Sequence, residues 1–211
     1  MAVKYYDMTM EMAQGMLLYP GDPPFSAVDR DRISGGDLCN LSVLSFGSHT
    51  GTHIDAPKHF FDKGMAVDEL DLDYFIGKAR VIEIENPVSV TADELEKHRI
   101  GHGERLLIKT RNSQLLEEGT FYEDFCYLEP DAVDFLAGLK IKTLGFDYLT
   151  VEKYGSEIPY AHVRLLGQNI VLVEGLRLKN IRQGFYDMYI LPLRLRGGNG
   201  SPVRAVLAES V

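Results

Sequence analysis

Gly47-Ser48-His49-Thr50-Gly51-Thr52-His53-Ile54-Asp55-Ala56-Pro57-Lys58-His59-Phe60 carries three of the chain's six histidines, with an aspartate between the second and third. Imidazole beside carboxylate suits zinc, manganese or iron better than calcium or magnesium, which prefer oxygen shells. The four-residue spacing of His49 and His53 is the one that puts two zinc ligands on one helix face. A helix is disfavoured here, because Gly51 and two threonines lower its propensity and Pro57 would end it. No glutamate follows His49 to act as a base. An extended segment fits better. Alternate side chains of a strand share a face, and His49, His53, Asp55 and His59 are all odd-numbered. A lone histidine is usually a hydrogen-bonded or surface residue. Four such groups of one parity within so short a segment point instead to a metal site. Just upstream, Leu41 to Phe46 is apolar enough to read as a buried strand leading into the segment.

Working outward, Tyr5 to Met10 and Ser26 to Ile33 are expected strands. Between them Tyr19-Pro20-Gly21-Asp22-Pro23-Pro24-Phe25 is a fixed turn, whose Tyr19 and Phe25 could either wall a pocket or cap the core. Val67 to Phe75 alternates acidic with apolar residues and is expected to form a short helix or helical turn. Ala79 to Ile84 and Leu106 to Lys109 are strands by their β-branched and apolar content. Thr91-Ala92-Asp93-Glu94 is a capping box that opens a helix through His98. Thr110 to Tyr127 has no period and is expected to be loop. Pro130 stands in the first turn of a helix running to Leu139, and Ala161 to Leu166 forms a shorter one stopped by Gly167. Thr143 to Phe146, Ile170 to Val173, Tyr186 to Leu191 and Val203 to Leu207 complete the strands. Glu174, at the end of a buried strand, needs a metal or an arginine, since an unpaired buried charge is expensive. Strands mixed with short helices define an α/β class.

The length of 211 residues suits one domain spanning 1–211, and 45% hydrophobic with 25% charged residues is ordinary for a globular protein. A net charge of −9 argues against a nucleic-acid partner. No apolar run is long enough to cross a bilayer, so no membrane is expected. Cys39 and Cys126 are far apart and unpaired, which predicts free, buried thiols and a cytoplasmic location.

The histidine segment resembles the H-x-G-T-H-x-D-A-P-x-H-F signature of the cyclase family of metal-dependent hydrolases, whose members include kynurenine formamidases and isatin hydrolases. It matches without a gap from His49 to Phe60. Tyr19-Pro20-Gly21-Asp22 resembles the family's early W-P-G-D turn, and Gly145-Phe146-Asp147 its G-x-D. His162, Glu174 and Gly197 to Ala205 follow in family order. The resemblance implies a swivelling β/β/α domain with a mixed central sheet. It implies a first metal on His49, His53 and Asp55, and a second on Asp55, Glu174 and His162. Zinc or manganese would serve, as one or two ions per subunit. It makes His59 the proton-transferring catalytic residue and Tyr19 a substrate-binding residue. Family formamidases carry tryptophan at the Tyr19 position, so the match favours the hydrolase class over formylkynurenine itself. The implied reaction is cleavage of a small amide or cyclic amide at a C–N bond other than a peptide bond, arylformamidase-like. A catalytically idle metal-binding protein and a cyclase or dehydratase acting on a carbonyl substrate are the alternatives. A small-molecule substrate and a homodimer or higher homo-oligomer are expected.

Overall fold

The computed structural model describes residues 2–210. Its strands are β1 (Val3–Asp7), β2 (Ser26–Asp31), β3 (Leu41–Ser45), β4 (His53–Asp55), β5 (Ile76–Glu83), β6 (Ser89–Val90), β7 (Arg105–Lys109), β8 (Tyr127–Leu128), β9 (Thr143–Phe146), β10 (Val171–Glu174), β11 (Gly184–Pro192) and β12 (Gly200–Ser210). The α-helices are α1 (Ala92–Lys97), α2 (Asn112–Leu115), α3 (Pro130–Gly138) and α4 (Tyr160–Leu166).

Strand β12 frames the sheet. One edge pairs first with β4, Gly200 opposite Asp55, and later with β1, Ala208 opposite Tyr5. The other edge carries β11, and the order β11-β5-β7-β9-β10-β4 then returns to β12, closing the sheet on itself. Neighbours β5, β7, β9 and β10 are parallel, and the remaining pairs of this sheet are antiparallel. The expected mixed central sheet of an α/β protein is therefore present.

Strict alternation sorts the side chains into two cores. Ile54, Val81, Leu107, Val171, Val173, Met188, Ala205 and Leu207 pack together on one side of the closed sheet. Leu106, Ile108, Leu144 and Leu172 turn the other way, against Leu95 of α1, Val133 and Leu136 of α3, and Leu165 of α4. The central parallel strands are buried on both faces, which is why they read as unbroken apolar runs. Gly145 in β9 is required by close packing: a Cβ there would strike Leu107 and lie 2.6 Å from Leu176 Cδ1.

Several expectations need correction. Leu41 to Phe46 does contain a strand, but it is exposed rather than buried. Among the described residues it pairs with β2 alone, in a two-stranded arm outside the closed sheet. Val28, Leu41, Val43 and Leu44 are all exposed, so apolarity here marks an uncovered surface. Cys39, on the same arm, is exposed, whereas Cys126 is buried as expected. The first strand spans Val3–Asp7 and stops short of Met10. The segment from Thr110 to Tyr127 is not all loop, for it contains α2 and a following 3-10 turn, Leu116–Glu118.

Buried Asp147 explains that turn of helix. Its carboxylate accepts bonds from Thr110 N (2.7 Å), Thr110 Oγ1 (2.9 Å), Ser113 N (3.0 Å) and Ser113 Oγ (2.6 Å). A carboxylate receiving backbone donors at a helix start satisfies groups that have no partner within the helix. Burial still prevails at this carboxyl, and its pKa rises to about 6.

Candidate metal centre and catalytic cleft

The register of β4 against β10 builds the centre. Antiparallel pairing sets Glu174 opposite His53 and Leu172 opposite Asp55. Ile54 and Val173 point into the core, so their neighbours His53, Asp55 and Glu174 emerge together on the other side. Helix α4 then brings in His162, and the turn before β4 brings in His49. The parity argument holds only for His53 and Asp55. His49 lies in a turn, and His59 in a 3-10 turn, Pro57–His59. The short strand β4 places His53 and Asp55, and turns on either side of it bring His49 and His59 to them.

Among the buried groups, Asp55 and Glu174 each divide their two oxygens between two histidines. His53 Nε2 is 3.4 Å from Asp55 Oδ1 and 3.6 Å from Glu174 Oε2. His162 Nε2 is 3.5 Å from Asp55 Oδ2 and 3.3 Å from Glu174 Oε1. His49 Nδ1 approaches Asp55 Oδ1 at 2.7 Å. Asp55 Oδ2 has no hydrogen-bond partner among the described residues although it is buried, an expensive arrangement unless a cation is held there. Tetrahedral metal bonds of about 2.0–2.1 Å place neighbouring ligand atoms about 3.3–3.4 Å apart. The observed nitrogen–oxygen separations at His53 and His162 fall around that edge length, so these residues fit a divalent metal.

Each histidine is also fixed through its other nitrogen. His53 Nδ1 donates to Gly51 O at 2.9 Å, His162 Nδ1 to Glu152 Oε1 at 3.2 Å, and His49 Nε2 to Asn199 Oδ1 at 3.3 Å. Gly51 reaches this position with φ +68°, in the left-handed region open to glycine. Burial opposes the charged form of His53, but Asp55 and Glu174 outweigh it and raise the imidazole to about 9. His162 is raised well above its ordinary value for the same reason, burial being overcome by Asp55, Glu152 and Glu174. Burial would raise Asp55, yet the three surrounding imidazoles hold it well below the carboxylate range. The cluster thus demands positive charge, which protons supply when no metal is bound.

His59 behaves oppositely. His59 is exposed at the cleft, yet the protein packed around its ring desolvates the charged form and, with the neighbouring histidines, lowers it to about 4 against the pull of Asp55. Its ring stacks on His49 at 3.9 Å between centroids and meets His162 edge-on at 6.2 Å. The ring of Phe60 stacks on His162 at 4.9 Å.

These groups line a cavity of about 510 Å³ walled also by Tyr19, Asp22, Lys153 and Tyr154. The open alternatives for the early turn now separate. Tyr19 walls the cleft, its ring edge-to-face with Phe121 at 5.5 Å, while Phe25 is buried and stacked on Phe46. Glu174 is met by Val151 N at 2.9 Å and by histidines rather than by an arginine. Sequence reasoning missed Glu152 and gave no role to Asn199, Asp22 or Phe60, although these three lie in stretches that resemble the family's motifs. Phe60 closes the quoted motif, and its aromatic ring was the available signal. Glu152 sits in a loop with no period to mark it.

A buried His/Asp/Glu cluster on a closed mixed sheet, of a composition that could hold a metal ion, opens onto an adjoining cleft. The chain belongs to the cyclase family, described as "Putative cyclase", which matches residues 6–153. It is 36% identical to a kynurenine formamidase of Geobacillus thermodenitrificans over 205 residues, 97% of each chain. It is 39% identical to cyclase-like protein 3 of Oryza sativa subsp. japonica over 185 residues, covering 84% of this chain and 68% of the relative. A solved structure described as a predicted metal-dependent hydrolase from Bacillus stearothermophilus superposes with a TM-score of 0.87 at 30% identity, covering 100% of both chains. Isatin hydrolase A from Ralstonia solanacearum shares the fold, with a TM-score of 0.86 at 23% identity over 99% of this chain and 92% of that one.

Proposed function

We propose that the protein is a metal-dependent hydrolase that cleaves a small amide or cyclic amide, with arylformamides the leading substrate class. The observation that carries the reading is the pair of buried carboxylates, Asp55 and Glu174, each offering one oxygen to His53 and one to His162. His49, His53 and Asp55 would hold one divalent ion, zinc or manganese, and Asp55, Glu174 and His162 a second. When bound, such a cation lowers the pKa of coordinated water from 15.7 to about 7 and polarises a carbonyl.

The chain's own residues do the rest. Asp55 and Glu174 balance the cation's charge. His59, lowered to about 4, is neutral near pH 7 and has a ring nitrogen free to accept a proton. Its conjugate acid is strong enough to pass that proton to the leaving nitrogen. Tyr19, Phe60 and Tyr154 offer aromatic faces to a flat substrate and narrow the access of bulk water. One domain carries the whole site.

The test is chelation and reconstitution. Formate release from N-formylkynurenine, and ring opening of isatin, should stop on metal removal and return with zinc or manganese. Stoichiometric metal with no turnover on either compound, or on other amides, would leave a binding protein and defeat the hydrolase reading. A product lacking the added water would favour the cyclase or dehydratase alternative.

The substrate is a small molecule. No helix among the described residues is long and apolar enough to cross a membrane, and the acidic charge does not suit nucleic acid. The cytoplasm is the compartment that fits two free cysteines. We also assign the protein a homodimeric or higher assembly, supported by the exposed apolar arm bearing Val28, Val43 and Leu44. Sedimentation at monomer mass in dilute solution would refute it.

A further inference from the structure

We propose that Glu152 is a positioning residue for the metal centre, holding both the backbone and the ring of His162 through a single oxygen. The inference rests on the metal-centre reading above. Glu152 Oε1 accepts from His162 Nδ1 at 3.2 Å and from His162 backbone N at 3.0 Å. His162 is the third residue of α4, so its N–H is one of those with no partner inside the helix. Pro159, which precedes the helix, makes no side-chain cap. The carboxylate therefore stands in as the cap and sets the tautomer of the residue it caps. With Nδ1 as the donor, Nε2 is the nitrogen facing Asp55 Oδ2 and Glu174 Oε1.

The neighbouring residues belong to the same device. Val151 N donates to Glu174 Oε1 at 2.9 Å, and Thr150 Oγ1 accepts from Glu152 N at 3.2 Å. One turn after β9 thus orients the carboxylate and the imidazole that share the second half of the centre. Glu152 differs from the other orienting groups in charge. Gly51 O and Asn199 Oδ1, which fix His53 and His49, are neutral acceptors. A carboxylate behind an imidazole raises its basicity and strengthens it as a ligand, and loss of such a partner typically costs 10- to 100-fold in metal affinity.

The experiment is cobalt titration of metal-free protein, read by chelator competition and by the visible absorption of bound cobalt, with circular dichroism on every variant. Glu152→Ala should lose about 100-fold in affinity at one ion and change the cobalt spectrum. Glu152→Gln keeps an acceptor without the charge and should lose about 10-fold, with a spectrum nearer the wild type. Folded Glu152→Ala with unaltered affinity and spectrum overturns the proposal, even if its melting point falls. Should Glu152→Ala fail to fold, unaltered cobalt affinity in Glu152→Gln overturns it. Wild-type protein that binds no cobalt overturns the metal reading and this role together, whereas normal wild-type binding with indifferent variants removes only the role of Glu152.

Discussion

Gly200→Ala tests whether the centre depends on close approach of β12 to His49. Gly200 begins β12 and pairs with Asp55. A Cβ at this position would overlap His49 Cε1, lie 2.9 Å from His49 Nδ1, and lie 2.8 Å from Ile54 O. Ordinary heavy-atom contact needs about 3.5–4.0 Å, so the imidazole must retreat by roughly 1 Å or turn. The ring has little room, with His59 stacked at 3.9 Å and His53 edge-on at 5.0 Å. Its retreat breaks the 2.7 Å approach of Nδ1 to Asp55 Oδ1. Overpacking of this kind costs about 1–3 kcal/mol. A displacement of about 1 Å in a catalytic group can cost about 10²-fold in rate. We expect kcat/KM to fall by about that factor, metal affinity to weaken, and the thermal midpoint to drop by several degrees. Metal affinity is read by chelator competition, turnover by formate release and stability by calorimetry. Gly138→Ala is the control. It lies in α3 with nothing within 4 Å of its would-be Cβ, and it should leave all three readouts unchanged or raise stability slightly. Metal affinity and turnover within twofold of wild type in Gly200→Ala would refute the steric argument.

His59→Gln should lower turnover by about 10²–10⁴-fold while metal stoichiometry stays constant; unchanged turnover on a confirmed substrate removes its catalytic role. In metal-free protein, His53 is raised from 6.5 to about 9, so its contribution to stability is complete below about pH 6.5 and is lost as pH rises through 9. The melting point of apo protein should therefore fall across that window, with added zinc opposing the fall, and a flat profile would contradict the charge balance assigned to the cluster. Asp147→Asn replaces one acceptor oxygen with a donor facing the Thr110 and Ser113 donors, and should destabilise by about 1–3 kcal/mol without changing metal affinity. Denaturant titration beside a metal titration distinguishes this from a role at the centre.

Legibility of the fold followed the strength of periodic burial. The strands around Leu106 to Lys109, Thr143 to Phe146 and Val171 to Val173 are buried on both faces, and unbroken apolar runs announce them. Capping signals located α1, where Glu94 returns to the backbone of Thr91 at 3.4 Å, and Pro130 located α3. The arm misled for the opposite reason. Leu41, Val43 and Leu44 have strand-like composition, but what covers a strand is a tertiary fact, and among the described residues no other strand pairs with β2 or β3. The helix α2 was illegible because its anchor, Asp147, lies far along the chain from the Thr110 and Ser113 it binds.

The candidate site divides along the same line. His49, His53, Asp55 and His59 stand in one short segment, so ligand chemistry alone could suggest them. His162 and Glu174 entered through family resemblance, because their proximity to Asp55 arises from the β4–β10 register and from the placement of α4. Glu152 had neither advantage. Its place beside the candidate site is marked only by an oxygen shared between the backbone and the ring of one residue ten positions away. A local motif can specify which atoms may hold a cation and, through Gly51, orient His53, but the groups that orient His162 and His49 lie outside it, at Glu152 and Asn199. The identity of the candidate ligands in the histidine segment is therefore a sequence-level feature, while the orientation of their rings is a property of the folded sheet, and substitution at Gly200 or Glu152 alters that orientation without changing any candidate ligand.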